Sequence, residues 1–261
     1  MIRALRTAAS GMYAQELQLD NTAINLANTS TTGYKKSRIN FQDLYYDRIV
    51  SPSTLGREST SAGVIEIGYG SQVAGTHRVF AQGSLIETQN STDLAIVGDG
   101  MFKVLLADGS YGYTRDGALS LSADGMLVNS GGFALEPQIV VPEEAESIAI
   151  TQDGNVWAYI SDSTDPEMLG QITLTRFLNP SGLKAMGENI FVATDSSGEP
   201  LEDYPGSEGL GYVKQGFLEG SNVSAVEEMV SLMTSQRAYE INSKAIKAAD
   251  EILGTVANLS R

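Results

Sequence analysis

Leu19-Asp20-Asn21-Thr22-Ala23-Ile24-Asn25-Leu26-Ala27-Asn28-Thr29-Ser30-Thr31-Thr32-Gly33 is the stretch that decides how this chain is built. Up to Leu26 its apolar positions continue a helical stripe, and from Asn28 to Gly33 a cluster of turn formers ends it. Traced back to the N-terminus, the stripe takes in Ile2, Leu5, Ala9, Met12, Leu19, Ala23 and Leu26, in alternating steps of three and four with Glu16 as the only interruption. That is the a/d heptad pattern of a coiled-coil face. Gly11 lies inside it at a cost of roughly 1 kcal/mol. A helix of this span is about 40 Å long at ~1.5 Å per residue.

The far end of the chain repeats the theme. Gly220-Ser221-Asn222 offers a helix start, with Ser221 or Asn222 as the cap. Val223, Val226, Val230 and Met233 form one seam; after Gln236-Arg237 the stripe resumes, displaced by one position, at Ala238, Ile241, Ala245, Ala248, Ile252 and Leu259. The displacement rotates the seam around the helix, as at a coiled-coil irregularity.

Between the two ends the period changes. Short β-branched or aromatic runs such as Leu94–Val97, Phe102–Leu106 and Ile139–Val141 alternate with Gly, Asp, Asn and Ser. Asp-Gly pairs stand at 108–109, 116–117, 124–125 and 153–154, and this pairing is the favoured signal for a type I′ hairpin. The fold class expected is therefore α+β: long N- and C-terminal helices forming a coiled-coil-like domain, with an antiparallel β-rich domain inserted between them. The corresponding segments are an N-terminal helix over 1–33, an extended connector over 34–80 that includes an insert at 46–63, the β domain over 81–216, and the C-terminal helix over 217–261. Two lone helices with apolar seams cannot cover both faces, and isolated helices are marginal in water, so the ends are expected to be partly disordered in a free monomer and to fold on assembly.

Composition closes off several chemistries. The 261 residues contain no cysteine and one histidine, His77, which excludes thiolate sites and disfavours imidazole-rich metal centres and hydrolytic triads. Gly98-Asp99-Gly100 lacks the Gly-Lys-Ser/Thr ending of a phosphate loop. The Asp-Gly recurrence meets neither known calcium-repeat pattern, and Glu143-Glu144-Glu146 follow Pro142 in a polar turn. No catalytic residue, cofactor or metal ligand is nominated. The net charge of −15 sits entirely in residues 46–216, which carry eight Lys/Arg against twenty-three Asp/Glu. Such a surface repels nucleic acid, and no small-molecule substrate is indicated. No run reaches the ~20 apolar residues of a transmembrane helix, and no Sec-type signal peptide is visible.

The residues from Ala23 to Lys35 resemble the N-terminal signature of flagellar rod and hook proteins, approximately N-N-L-A-N-x-x-T-x-G-[FY]-K, with Ile24 in place of its first Asn. Gln236-Arg237-Ala238-Tyr239-Glu240-Ile241-Asn242 is similar to that family's C-terminal motif, and Gly98–Phe102 and Tyr113–Leu119 are similar to its central landmarks. Phe41–Tyr46 and the connector after it resemble the distal-rod branch, with the proximal-rod branch as nearest competitor. The resemblance implies export through the flagellar type III apparatus without a cleaved signal peptide. It further implies residence in the basal-body rod that spans the periplasm, and helical polymerisation of the chain with itself. Neighbouring rod proteins and the hook protein would meet it at its ends, and the P- and L-ring proteins would surround it. The residues expected to carry self-assembly are Leu5, Met12, Leu19, Asn25, Leu26 and Asn28 at one end. At the other they are Val226, Val230, Met233, Arg237, Tyr239, Ile241 and Ile252. From the residues alone, Asn25 and Asn28 fit either register-fixing hydrogen bonds or an ordinary polar helix end, and Arg237 with Glu240 either an ion pair between subunits or a solvated face. An extracellular β-rich adhesin or carbohydrate-binding module is the alternative of a different class.

Overall fold

The structure, a computed structural model, describes residues 2–50, 64–160, 165–207 and 209–259, and its chain divides into two compact units. The first unit gathers residues 1–26, 37–77 and 224–261. It holds the helices α1 (Ile2–Ala27) and α2 (Ala225–Leu259) and the strands β1 (Ser37–Asp43), β2 (Tyr46–Val50), β3 (Val64–Gly68) and β4 (Ser71–Arg78). At 35 residues α2 is about 52 Å long. Its cap is Ser224, whose hydroxyl accepts from the Glu227 amide and whose carbonyl accepts from that of Glu228. Neither Ser221 nor Asn222 serves, because the Asn222 side chain is already engaged by the backbone of Lys36, Val79 and Ala81.

The two helices touch through small and polar residues. Asn25 Nδ2 donates to Glu228 Oε2 at 3.4 Å, and a Cβ on Gly11 would stand 3.0 Å from Asn242 Nδ2. Moving down α1 from Asn25 to Gly11 thus moves up α2 from Glu228 to Asn242, so the pair is antiparallel. Ala14, Asn21, Thr22 and Asn25 on α1 and Glu228 and Ser235 on α2 are buried. Gly11, which the sequence reading treated only as a propensity cost, allows this close approach. The 34–80 segment carries β1 to β4, with β1 paired to β4 and β2 antiparallel to β3 from Tyr46↔Gly68 to Val50↔Val64. Of the expected 46–63 insert, 51–63 lies outside the described residues.

The second unit comprises residues 27–36 and 78–223. Its strands are β5 (Leu85–Glu87), β6 (Leu94–Val97), β7 (Met101–Leu105), β8 (Tyr111–Thr114), β9 (Leu119–Leu121), β10 (Leu127–Asn129), β11 (Ala134–Glu136) and β12 (Ala145–Ile150). They continue with β13 (Asn155–Ile160), β14 (Glu167–Gln171), β15 (Leu174–Arg176), β16 (Lys184–Gly187), β17 (Ile190–Val192), β18 (Leu201–Asp203), β19 (Tyr212–Gln215) and β20 (Phe217–Glu219). The largest sheet runs β16-β17-β8-β7-β11-β10-β9, with β15 also on β7 and β18 on β15; β12-β13-β14 form a second, and β6 pairs β19 as β5 pairs β20. Phe102, Val104, Leu94, Ile96, Leu127, Leu135, Val156, Ile172, Leu174 and Val213 form its core. Between Phe102 and Val104, Lys103 turns the other way; its ammonium pairs with Glu202 at 2.8 Å and lies over the Tyr111 ring.

The antiparallel β-rich middle is as expected, but the turns are not type I′. At 108–109, 124–125 and 153–154, and at Gly131-Gly132, the same pattern recurs: the glycine amide donates back three residues while the flanking pair closes the loop. Only the second glycine of Gly131-Gly132, and the glycine but not the aspartate at 108–109, 124–125 and 153–154, has positive φ. These are type I turns followed by a left-handed bulge residue, the three-residue hairpin loop. Asp116-Gly117 is different again: a Cβ on Gly117 would collide with the Leu94 carbonyl, so glycine there permits two backbones to meet. Ile139–Val141 contributes one isolated bridge, Met126↔Val140, and not a strand.

Candidate functional site

On α2 of the first unit most of the large apolar residues face away from the helix contact, while Leu232, Ile246 and Leu253 are half-buried. Val226 is 70% exposed, Ile241 65%, and Val230, Met233, Ile252 and Met229 about half. At ~100° per residue these positions fall within an arc of about 140°, one face of the helix. Arg237 is exposed within the same stripe and Tyr239 is 40% exposed. On α1, Leu5, Met12, Leu19 and Leu26 are half-buried, while Tyr13 and Ile24 stand out. Asn25 is the most engaged of the expected residues. Its amide donates to the Ser37 carbonyl and to Glu228, and its oxygen accepts from the Ser37 amide, both Ser37 bonds at 2.9 Å. Asn25 therefore clips the start of β1 in the way a paired strand would. Asn28 sits in the turn after α1 and accepts from Thr31 through both its carbonyl and its side chain.

In the second unit, three charged side chains are buried together. The Lys35 ammonium, fully buried, donates to Glu219 Oε1 at 2.6 Å and to the Ala81 carbonyl at 2.8 Å. Glu219 Oε1 also accepts from the Gly83 amide at 2.8 Å. The Arg115 guanidinium, 3% exposed, reaches Glu219 Oε2 at 3.6 Å and donates to the Gly98 carbonyl at 2.7 Å. Burial holds both cations below their ordinary pKa ranges, with Glu219 pulling each of them the other way. The surrounding chain is tied in by Gly33, whose amide donates to the Glu219 carbonyl; by Thr32, whose hydroxyl donates to Asp116; and by Asn222, which spans Lys36, Val79 and Ala81. Arg78 covers the rings of Tyr34 and Phe191. The cluster joins residues of the N-terminal motif, the central Tyr113–Leu119 stretch and the segment leading into α2.

Three family models match the chain: "Flagella basal body rod protein" over residues 5–35, "Flagellar hook protein FlgE/F/G D1 domain" over 95–158 and "Flagellar basal body rod FlgEFG protein C-terminal" over 214–259. The flagellar basal-body rod protein FlgG of Borreliella burgdorferi is 48% identical over the full length of both chains. That of Agrobacterium fabrum is 44% identical over 98% of each, and that of Bacillus subtilis 34% over the full length of both. The chain belongs to the FlgG family of flagellar basal-body rod proteins.

For this FlgG-family chain the matched ends are the regions just described. The N-terminal match covers α1 from Leu5 onward and closes on Lys35; the C-terminal match opens in β19, includes Glu219 and runs the length of α2. Sequence reading missed Lys35, Arg115 and Glu219 as a set. Lys35 and Arg115 stand inside motifs quoted for other reasons, yet the pairing of Lys35 with Glu219 spans 184 residues and that of Arg115 more than a hundred, and neither leaves a periodic trace.

Proposed function

We infer that this FlgG-family chain is a structural subunit of the flagellar basal-body rod, of its distal part, and polymerises helically into a hollow drive shaft that carries torque from motor to hook. The observation that supports this most is the outward stripe on α2. Val226, Val230, Met233, Ile241 and Ile252 are each half or more exposed, in a helix whose fully buried residues, Glu228 and Ser235, are polar. Covering each gains about 1 kcal/mol or more of apolar burial, a term that neighbouring chains would supply. In this reading α1 and α2 of many copies pack through coiled-coil-like seams into an inner tube, with Leu5, Met12, Leu19 and Leu26 contributing and with Asn25 and Asn28 shaping the helix end. Arg237 and Tyr239 meet neighbouring copies. The acidic β-rich unit forms the outer layer facing the P- and L-ring proteins, and other rod proteins and the hook protein adjoin the ends. Export is by the flagellar type III apparatus, and the role is structural, not enzymatic.

Among the described residues no helix is long and apolar enough to cross a membrane. Electron microscopy of basal bodies purified from cells carrying a tagged chain tests the assignment. Label along the distal rod is the expected result; label confined to the proximal rod, or absent from basal bodies, overturns it.

A further inference from the structure

The ion cluster of the β-rich unit is unbalanced. Lys35 and Arg115 are two buried cations around one buried carboxylate. Glu219 Oε1 is occupied by Lys35 and the Gly83 amide, and Arg115 spends Nη2 on the Gly98 carbonyl. Its Nη1 is buried without a hydrogen-bond partner among the described residues, and so are the hydroxyl of Thr175 and Glu219 Oε2, the latter 3.6 Å from Arg115 Nε. Both residues line a cavity of about 280 Å³, with Phe80, Phe177 and Leu178 among its apolar walls and Asp99 and Arg176 also at it. Asp99 is exposed and offsets Arg115 only through the field it sets up, without a hydrogen bond. A buried donor with no acceptor is costly, more so when charged, and an arrangement of this kind is complementary to an oxygen acceptor bearing negative charge. Leu178 at the cavity is 88% exposed, an apolar contact point for whatever brings that oxygen.

We propose that this cavity receives an Asp or Glu side chain of a second copy of the chain, which accepts from Arg115 and Thr175 while its backbone neighbourhood packs on Leu178. The proposal rests on the polymerising reading above. A second copy is the favoured source because residues 46–216 of every copy carry twenty-three carboxylates against eight cations, so a cationic recess is rare along this stretch and carboxylates to fill it are abundant. The contact gives register as well as affinity, since a guanidinium and a hydroxyl together fix the direction of one carboxylate.

Two substitutions and one chemical probe test it on the full-length chain. Thr175→Val removes a hydroxyl with no hydrogen-bond partner among the described residues, so the monomer melts at the same temperature or a few degrees higher. The same substitution raises the critical concentration for polymerisation about fivefold. A photo-crosslinking residue at Leu178, in cells building flagella, joins two copies through a peptide containing Asp or Glu, identified by mass spectrometry; the same probe at Val230 reports the α2 contact. Wild-type polymerisation by T175V overturns the proposal. So does silence at position 178 while position 230 joins copies, a result that leaves the rod reading intact. Failure at both positions removes the rod reading and this inference with it. Acetate binding to the wild-type monomer but not to T175V, with assembly unaffected, assigns the cavity to small carboxylates and also overturns it.

Discussion

Substituting Lys35 by Met removes one member of the buried cluster while keeping an unbranched chain of similar length. The ammonium makes two short bonds, to Glu219 and to the Ala81 carbonyl, and its side chain has no exposed surface. Breaking a buried pair by deleting one partner costs about 3–5 kcal/mol, mostly from stranding the other charge. Here Glu219 keeps the Gly83 amide at 2.8 Å and Arg115 at 3.6 Å, which places K35M at the low end, about 3 kcal/mol. For a unit of this size that lowers the melting temperature by roughly 6–12 °C. Glu219→Gln is predicted to cost more than K35M, because it leaves two buried cations with no carboxylate between them. Calorimetric unfolding of the two variants and the wild type decides the matter. A loss under about 1 kcal/mol for K35M, or a smaller loss for E219Q than for K35M, refutes the reasoning that burial and not solvent governs this cluster.

Gly33 has a φ of 65°, and a Cβ there would stand 2.6 Å from the Asp116 amide nitrogen. Gly33→Ala should therefore cost about 2 kcal/mol or more in chemical denaturation. Val230→Asp with Met233→Asp changes half-exposed residues, so monomer stability should move by less than about 0.5 kcal/mol each while sedimentable polymer and swimming are lost. Burial raises the pKa of Tyr113, so its contribution to stability is complete below the ordinary tyrosine value of about 10 and is lost as pH rises through the folded value. Tyr113→Phe should accordingly flatten the alkaline end of the stability–pH curve and leave the neutral region within about 0.5 kcal/mol, as read by urea titrations at several pH values.

The helical ends and the β-rich middle were legible because heptad spacing and turn chemistry are local signals. The stop after Leu26 and the start near residue 223 needed no tertiary knowledge. Where reasoning drifted, long-range contacts had taken over. Asn222 looks like a cap and is drawn instead to the backbone at Lys36, Val79 and Ala81, leaving Ser224 to cap. The Asp-Gly pairs announce hairpins correctly but not their loop length, since type I turns with a bulge use the same two residues. Heptad logic located the outward stripe on α2, yet not the inner face, where Gly11, Ala14, Ser235 and Asn242 are too small and polar to register as a seam. The 34–80 segment read as extended because its strands pair across residues that lie far apart in sequence. Lys35 was visible as the last residue of a motif, but only the fold reveals that Glu219 and Arg115 share its burial.

Hydrogen exchange of residues 226–252, compared between purified monomer and isolated basal bodies, goes to the centre of the account. Amides along this part of α2 should exchange rapidly in the monomer, where the apolar stripe is bare and a lone helix pair is marginal, and become strongly protected in the rod. Equal protection in both states would mean that the stripe is already covered within one molecule, and the assembly reading would fail.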